Sequence, residues 1–436
     1  MIPLRLDEVA SLAPGRLTVA RDAERVTGLT IDSRRVRPGD LFVAVGRGAE
    51  YAEEALGAGA AATLVPGDAF AALAALGKTI RDRSRARVVG ITGSIAKTST
   101  KDILGALVRP HLSTVVAEGS QNNEIGLPLT LSRLEEETEV AILEMGMRGL
   151  GQIAELCDVA RPEIGIITKI GPVHLELLGS VERVAQAKAE LVTALPPGGT
   201  AIVPSGEPTL EPFLRRDDLR IVRVGPGGDV CLLAYESRGR TSRVEVGLHG
   251  RRLDLELAVA SRYNAANALA ALAAYEALGL PLEEVERGAL EIRVSRWRGE
   301  EVPMAGGGLV INDAYNANPL SMVAALEHLT ERAAGRRRVA VLGDMAELGP
   351  DAEAYHREVG AVAARLGVQA LIAVGPLARA YADAVGGAAD VRWAPDAEAA
   401  IPLVAEVVRP GDCVLVKASR SMRLETVAEA LTAVPA

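Results

Sequence analysis

Apolar residues run through this chain in short blocks, and the blocks differ in kind. VVGIT, VAILEMG and EIGIITKIG are continuous apolar runs, each followed by a helix-compatible stretch, the pattern of parallel strands buried on both faces. Ahead of them, VTGLTID and DLFVAV read as strands around a VRPGD turn, YAEEALGAGA as a helix and AATLVP as another strand. SRVEVGLHGRRLDLELAV alternates around a glycine turn and predicts an antiparallel hairpin added to the parallel sheet. The alanine-rich NAANALAALAAYEALGL predicts a helix that stops at glycine. Beyond a break at AGGG, the strands RRVAVLGD, ALIAVG and DCVLVKAS alternate with helical stretches in a second doubly wound pattern. The expectation is an α/β chain in three domains: a small α/β domain over 1–83, a mostly parallel central sheet with an antiparallel extension over 84–298, and a Rossmann-like domain over 299–436. The charged stretches RDRSRAR and RWRGE read as the joints between them.

Composition narrows this picture without changing it. A chain of 436 residues with 49% hydrophobic and 24% charged residues suits several packed cores and excludes wholesale disorder. The net charge of -9 comes without a long basic run, so no nucleic-acid partner is expected. No apolar run reaches the ~20 residues of a spanning helix, and MIPLRLDEVASLAPG does not resemble a secretory signal. Cys157, Cys231 and Cys413 follow no metal or disulfide spacing. A cytoplasmic protein without membrane insertion is the expectation, and nothing implies an oligomer. Only six of the 48 basic residues are lysines: Lys78, Lys97, Lys101, Lys169, Lys188 and Lys417. Arginine supplies generic charge here, so each lysine raises the question of what arginine could not provide.

The strongest chemical signal is GITGSIAKTSTKD, residues 90–102. A strand leads through Gly90 and Gly93 into a helix start, which aims backbone N–H groups at a phosphate. Lys97 would reach the β and γ phosphates and Thr98 would offer a hydroxyl to Mg2+. Ala96 stands where a glycine is expected; should that position require a positive φ, alanine costs roughly 1 kcal/mol. An ordinary glycine-rich turn fits these residues equally well. AILEMGMRG, however, places Glu144 at a strand end, and ITKIGPVHLELLGS places His174 just after the next strand. Glu and His beyond neighbouring strand ends, beside a phosphate loop, are best explained as Mg2+ ligands. Lys188 follows on the next helix, either as a plain surface lysine or as an amine that reacts with CO2 to become an oxygen ligand.

Taken in order, these motifs resemble the Mur ligase family of ATP-dependent amide-forming enzymes. IDSRRVRPGDLFVA is similar to the family's UDP-binding signature, implying contacts from Ser33 and Arg34, although the turn that usually follows is shortened to GAEYAEEAL. GITGSIAKTSTKD, GSQNNEIGLPLTL, EMGMRG, GPVHLELLGS and AKAEL match the central domain, a P-loop ATPase-like unit. The resemblance implies ATP contacts from Gly93, Ser94, Ala96, Lys97, Thr98 and Ser99, with Asn122 and Asn123 on the substrate side. It implies Mg2+ held by Thr98, Glu144, His174 and a carbamylated Lys188. YNAANALAA resembles the stretch that faces adenine, through Asn264 and Asn267. Arg298 in RWRGE takes the place of a phosphate-contacting arginine, and Asp313 in INDAYNANP that of a ribose contact. Lys97, His174, Lys188 and Arg298 are thus the expected catalytic residues, with Tyr315, Asn316 and Asn318 beside the substrate.

YNANP, VLGDMAELG and VLVKASRSM resemble those members that add D-Ala-D-Ala to UDP-N-acetylmuramoyl-tripeptide, and Ala418 replaces a usual glycine in the last motif. An amide ligase with a different amine donor, or a nucleotide-binding scaffold without catalysis, are the alternatives. His328 and His356 read as surface or packing residues rather than catalysts.

Overall fold

The computed structural model describes residues 1–304 and 306–432, so Ala305 of the AGGG break and the end of the third domain, 433–436, lie outside the described residues. Four strands, Gly15–Val19 (β1), Gly28–Thr30 (β2), Asp40–Val43 (β3) and Ala62–Pro66 (β4), form the first sheet in the order β1-β4-β3-β2. Only β1 runs antiparallel to its neighbour.

The central sheet has nine strands. They are Arg87–Thr92 (β5), Thr114–Val116 (β6), Val140–Glu144 (β7), Ile164–Ile167 (β8), Thr200–Pro204 (β9), Arg220–Val224 (β10), Val230–Arg238 (β11), Thr241–Leu248 (β12) and Arg251–Leu257 (β13). Their order is β13-β12-β11-β10-β9-β8-β5-β7-β6, parallel from β6 to β11 and antiparallel beyond, as the alternating stretch predicts. The apolar runs are buried at every residue of β7 and β8 because both faces are covered. Val89 and Ile91 pack under the helices Lys97–Val108 (α2) and Arg262–Ala277 (α3), whereas Val88 faces the opposite core with Ile153 and Leu191. That alternation follows from the period of two in a strand.

Helix Ala69–Arg83 (α1), capped by Asp68, inserts Leu73, Leu76 and Ile80 into the core that Leu127, Leu131 and Leu143 build from the central unit. The arginines of its last turn and just beyond are committed: Arg81 Nε donates to the Ala160 carbonyl at 2.9 Å, Arg83 pairs with Glu8 and Arg87 with Glu163. RDRSRAR is therefore a fastening and not a free joint, because its side chains found acceptors on both units.

The third sheet orders Glu300–Met304 (β14), Gly308–Asn312 (β15), Arg338–Gly343 (β16), Ala370–Val374 (β17), Asp390–Ala394 (β18) and Cys413–Lys417 (β19) as β14-β15-β19-β16-β17-β18, antiparallel only at β14. At RWRGE the chain makes two left-handed steps, Trp297 at φ 61° and Gly299 at φ 74°. A Cβ on Gly299 would sit 1.9 Å from the Tyr263 hydroxyl oxygen, so this crossing admits glycine alone. His356 is fully buried, its Nε2 accepting from Met345 N–H, and His328 is 2% exposed against Glu301; both serve packing.

Candidate active site

The register of the central sheet brings the site together. Ile91 pairs with Glu144 and Thr92 with Ile167, so the phosphate loop, the end of β7 and the segment after β8 stand side by side at the C-terminal edge. This is where open α/β sheets bind ligands. A cleft of about 830 Å³ lies there, and its far wall comes from the third unit.

Ala96 answers the question its sequence raises. It adopts φ 67° and ψ 0°, the left-handed conformation, as the residue before α2, so the loop keeps a glycine-like backbone without glycine. Gly93, at φ 150°, packs so closely on Thr168 that a Cβ would lie 1.9 Å from its Oγ1. Lys97 Nζ donates to the Gly93 carbonyl at 2.8 Å, and burial lowers its pKa, with Glu144 offsetting part of that effect. Ser94 lines the cleft, but its hydroxyl bonds the Gly171 backbone and so braces the loop; Ser99 also lines the cleft.

Glu144 is 1% exposed and both its oxygens are occupied, by Thr98 Oγ1 at 2.7 Å and Asn122 Nδ2 at 2.8 Å. Lys188 is equally buried. Burial, reinforced by Lys97, holds its pKa well below the ordinary lysine value, and no acid offsets the shift. His174, at φ 53°, turns its Nδ1 to the Glu347 carboxylate of the third unit. Burial lowers its pKa, Glu347 opposes this, and Lys188 and Lys97 add to it. Among the described residues no group of three or more His, Cys, Asp or Glu is arranged to hold a metal. A cation at Glu144 thus depends on oxygens of other kinds: the Thr98 hydroxyl, a phosphate, or a carbamate made on Lys188. A buried carboxylate that acts on Lys97, and a buried amine on which no acid acts, fit that donor set.

Across the cleft, Arg298 stacks on Tyr315 with 4.0 Å from Cζ to the ring centre, and its Nη2 donates to Ser120 Oγ at 3.0 Å. Asp313 is held by Lys417, whose Nζ donates to Oδ2 at 2.6 Å and to the Asn316 carbonyl at 2.9 Å. Asn318 caps the helix Pro319–Ala333 (α4) through Ser321 N–H, and Asn267 lines the opposite wall.

Other expected residues stand outside the cleft lining, Gly93, His174 and Lys188 among them. Asn264 accepts from Asn267 Nδ2 at 3.1 Å and Asn123 caps Gly126, so each braces a neighbour. Ser33 donates to Glu54, and Arg34 forms two 2.8 Å bonds to Asp32 on an exposed turn of the first unit. Sequence reasoning missed Ser120, Glu347 and the role of Lys417. The motifs GSQNNEIGLPLTL, VLGDMAELG and VLVKASRSM contain these three residues without showing their roles, and of the three, lysine scarcity marked only Lys417.

Residues 91–275 match the family model described as Mur ligase middle domain, and residues 297–420 match Mur ligase, glutamate ligase domain. The chain is 35% identical to the UDP-N-acetylmuramoyl-tripeptide--D-alanyl-D-alanine ligase of Mycobacterium tuberculosis, with 99% of this chain and 98% of that protein covered. The chain belongs to the Mur ligase family. Among solved structures, this Mur ligase is similar to MurF from Acinetobacter baumannii, at a TM-score of 0.87 and 27% identity over 99% of each chain. It is also similar to the MurF ligase from Thermotoga maritima in complex with ADP, at a TM-score of 0.80 and 28% identity over 93% of this chain and 97% of that one. The full-length match includes the first sheet, which neither family model reaches. No helix among the described residues is long and apolar enough to cross a membrane.

Proposed function

We infer that this Mur ligase joins D-Ala-D-Ala to UDP-N-acetylmuramoyl-tripeptide at the expense of ATP, in the cytoplasmic assembly of peptidoglycan precursor. The observation that carries this is the cleft in which the phosphate loop and Glu144 face Arg298 and the YNANP turn. The tripeptide carboxylate attacks the γ-phosphorus, forming an acyl phosphate and releasing ADP. The dipeptide amine then attacks the acyl carbon, forms the amide and expels phosphate.

Each part answers a physical need. A carboxylate approaching a triphosphate is anion against anion, so Lys97 and Arg298 neutralise the charge that develops on the transferring group. Mg2+ would be held by Thr98, Glu144, His174 and carbamylated Lys188, and it supplies Lewis-acid polarisation of the phosphoryl oxygens. Burial lowers the Lys188 pKa and so raises the share of neutral amine, the form that attacks CO2, forming the N–C bond and shedding a proton. Asn267, braced by Asn264, faces the adenine and Asp313 the ribose, while Asn122, Tyr315, Asn316 and Asn318 border the acyl acceptor. Ser33 and Arg34 take the uridine diphosphate once their present partners release them. Walls contributed by two units exclude water from the acyl phosphate.

The test is phosphate release with ATP, Mg2+, UDP-tripeptide and D-Ala-D-Ala, each omitted in turn. Release that requires all four is expected, and release indifferent to the dipeptide refutes this reading. Lys188→Ala should cut activity by about a hundredfold or more, with partial recovery in formate or acetate; undiminished activity removes the carbamate from the scheme.

A further inference from the structure

Lys101 enters none of this chemistry, yet it is only 1% exposed and lies one helical turn beyond Lys97. Its ammonium donates to the carbonyls of Ala117 at 2.6 Å and Gly119 at 2.9 Å and meets Asp102 Oδ1 at 2.9 Å. The first two are hydrogen bonds and the third is an ion pair. The other oxygen of Asp102 accepts from the Ser295 N–H at 2.8 Å and from its hydroxyl at 2.7 Å.

Both contacts lead to Arg298. The carbonyls belong to the turn that presents Ser120, whose hydroxyl receives Arg298 Nη2 and lies 3.4 Å from Thr98 Oγ1. Ser295 precedes Arg298 by three residues, on the strip of chain that crosses between units. Helix α2 itself starts at Lys97.

We propose that Lys101 and Asp102 are positioning residues that hold the Arg298 guanidinium against the phosphate loop, by tying the Ser120 turn and the 295–298 segment to the helix that carries Lys97 and Thr98. The pair rests on the ligase reading for its purpose and on the observed contacts for its existence. It also explains the use of lysine at 101. Two carbonyls and a carboxylate surround one buried point, which a compact ammonium can serve and a planar guanidinium cannot.

The experiment is a double-mutant cycle on the full chain, reading kcat and the KM for ATP, with thermal melting of every variant. Asp102→Ala should lower kcat about thirtyfold and change KM less than about threefold, while adding less than about twofold to an Arg298→Ala background. Losses that multiply in the double variant overturn the proposal. Should Asp102→Ala fail to fold, Ser295→Ala, which removes one of the two contacts, takes its place with about a fivefold loss that again vanishes beside Arg298→Ala. Lys101→Arg keeps the charge and should lose as much activity as Lys101→Met; wild-type activity in Lys101→Arg also overturns it. The ligase reading fails separately, when phosphate release by the unmutated enzyme ignores the dipeptide; the cycle can then be read on ATP hydrolysis alone.

Discussion

Two turns at the same cleft carry mirror-image pairs, Ala96-Lys97 after β5 and Lys417-Ala418 at the end of β19. In each, alanine stands where the family's motif has glycine, but the physics is opposite. Ala96 occupies a left-handed conformation that disfavours its methyl group. Ala418 is absent from the positive-φ residues, fully buried, and its methyl fills the space over Gly343, where an added Cβ would come within 2.6 Å of it. Alanine thus strains the first turn and packs the second.

The lysines differ in the same way, and their removal should produce the largest divergence. Lys97 donates only to a carbonyl of its own loop and is available to a ligand; Lys417 is 2% exposed and tied to Asp313. Lys97→Met should reduce kcat/KM about a thousandfold and leave the melting temperature near wild type. Lys417→Met should destabilise by about 3 kcal/mol, since it strands a largely buried carboxylate. Melting and kinetics on both variants would break the contrast if the two losses resembled each other.

Gly343→Ala comes next. Its Cβ would meet the Ala418 methyl at 2.6 Å and Leu424 Cδ1 at 3.0 Å, an overpacking that should cost about 2 kcal/mol. Much of that should return when Ala418→Gly is combined with it, and equal melting losses in both backgrounds would show that the methyl is not what fills the space. Ala418→Gly alone should lower stability by about 1 to 2 kcal/mol, the sum of a lost buried methyl and added backbone freedom.

These turns also mark what was legible in sequence. Glu144 could be placed because β7 is apolar up to its last residue and the run ends in a single acid, a pattern that requires burial on both faces. The hairpin β12–β13 was equally readable, since alternation implies one covered face. Partners brought together by folding were not. Lys417 meets Asp313 across 104 positions, Arg298 meets Ser120 across 178, and Glu347 meets His174 across 173. None of these pairs shares a local period. RDRSRAR looked like a joint because charge suggests solvent, whereas its arginines found acceptors on both units. A motif can likewise show that alanine replaces glycine, but the sign of the effect depends on φ and on the neighbour across the turn.

The smallest expected effect is the sharpest test of the contrast, because its sign is opposite. Left-handed backbone costs an L-residue about 1 to 2 kcal/mol, a burden that glycine lacks. Glycine in turn loses about 0.5 to 1 kcal/mol through the greater freedom of the unfolded chain. The first term exceeds the second, so Ala96→Gly should raise stability by about 0.5 to 1 kcal/mol, where Ala418→Gly lowers it. Melting of the two variants in parallel checks this, ideally without nucleotide, since ligand binding would shift the baseline. A fall at Ala96 would mean that its methyl packs favourably enough to outweigh the conformational cost, and the two turns would then be alike.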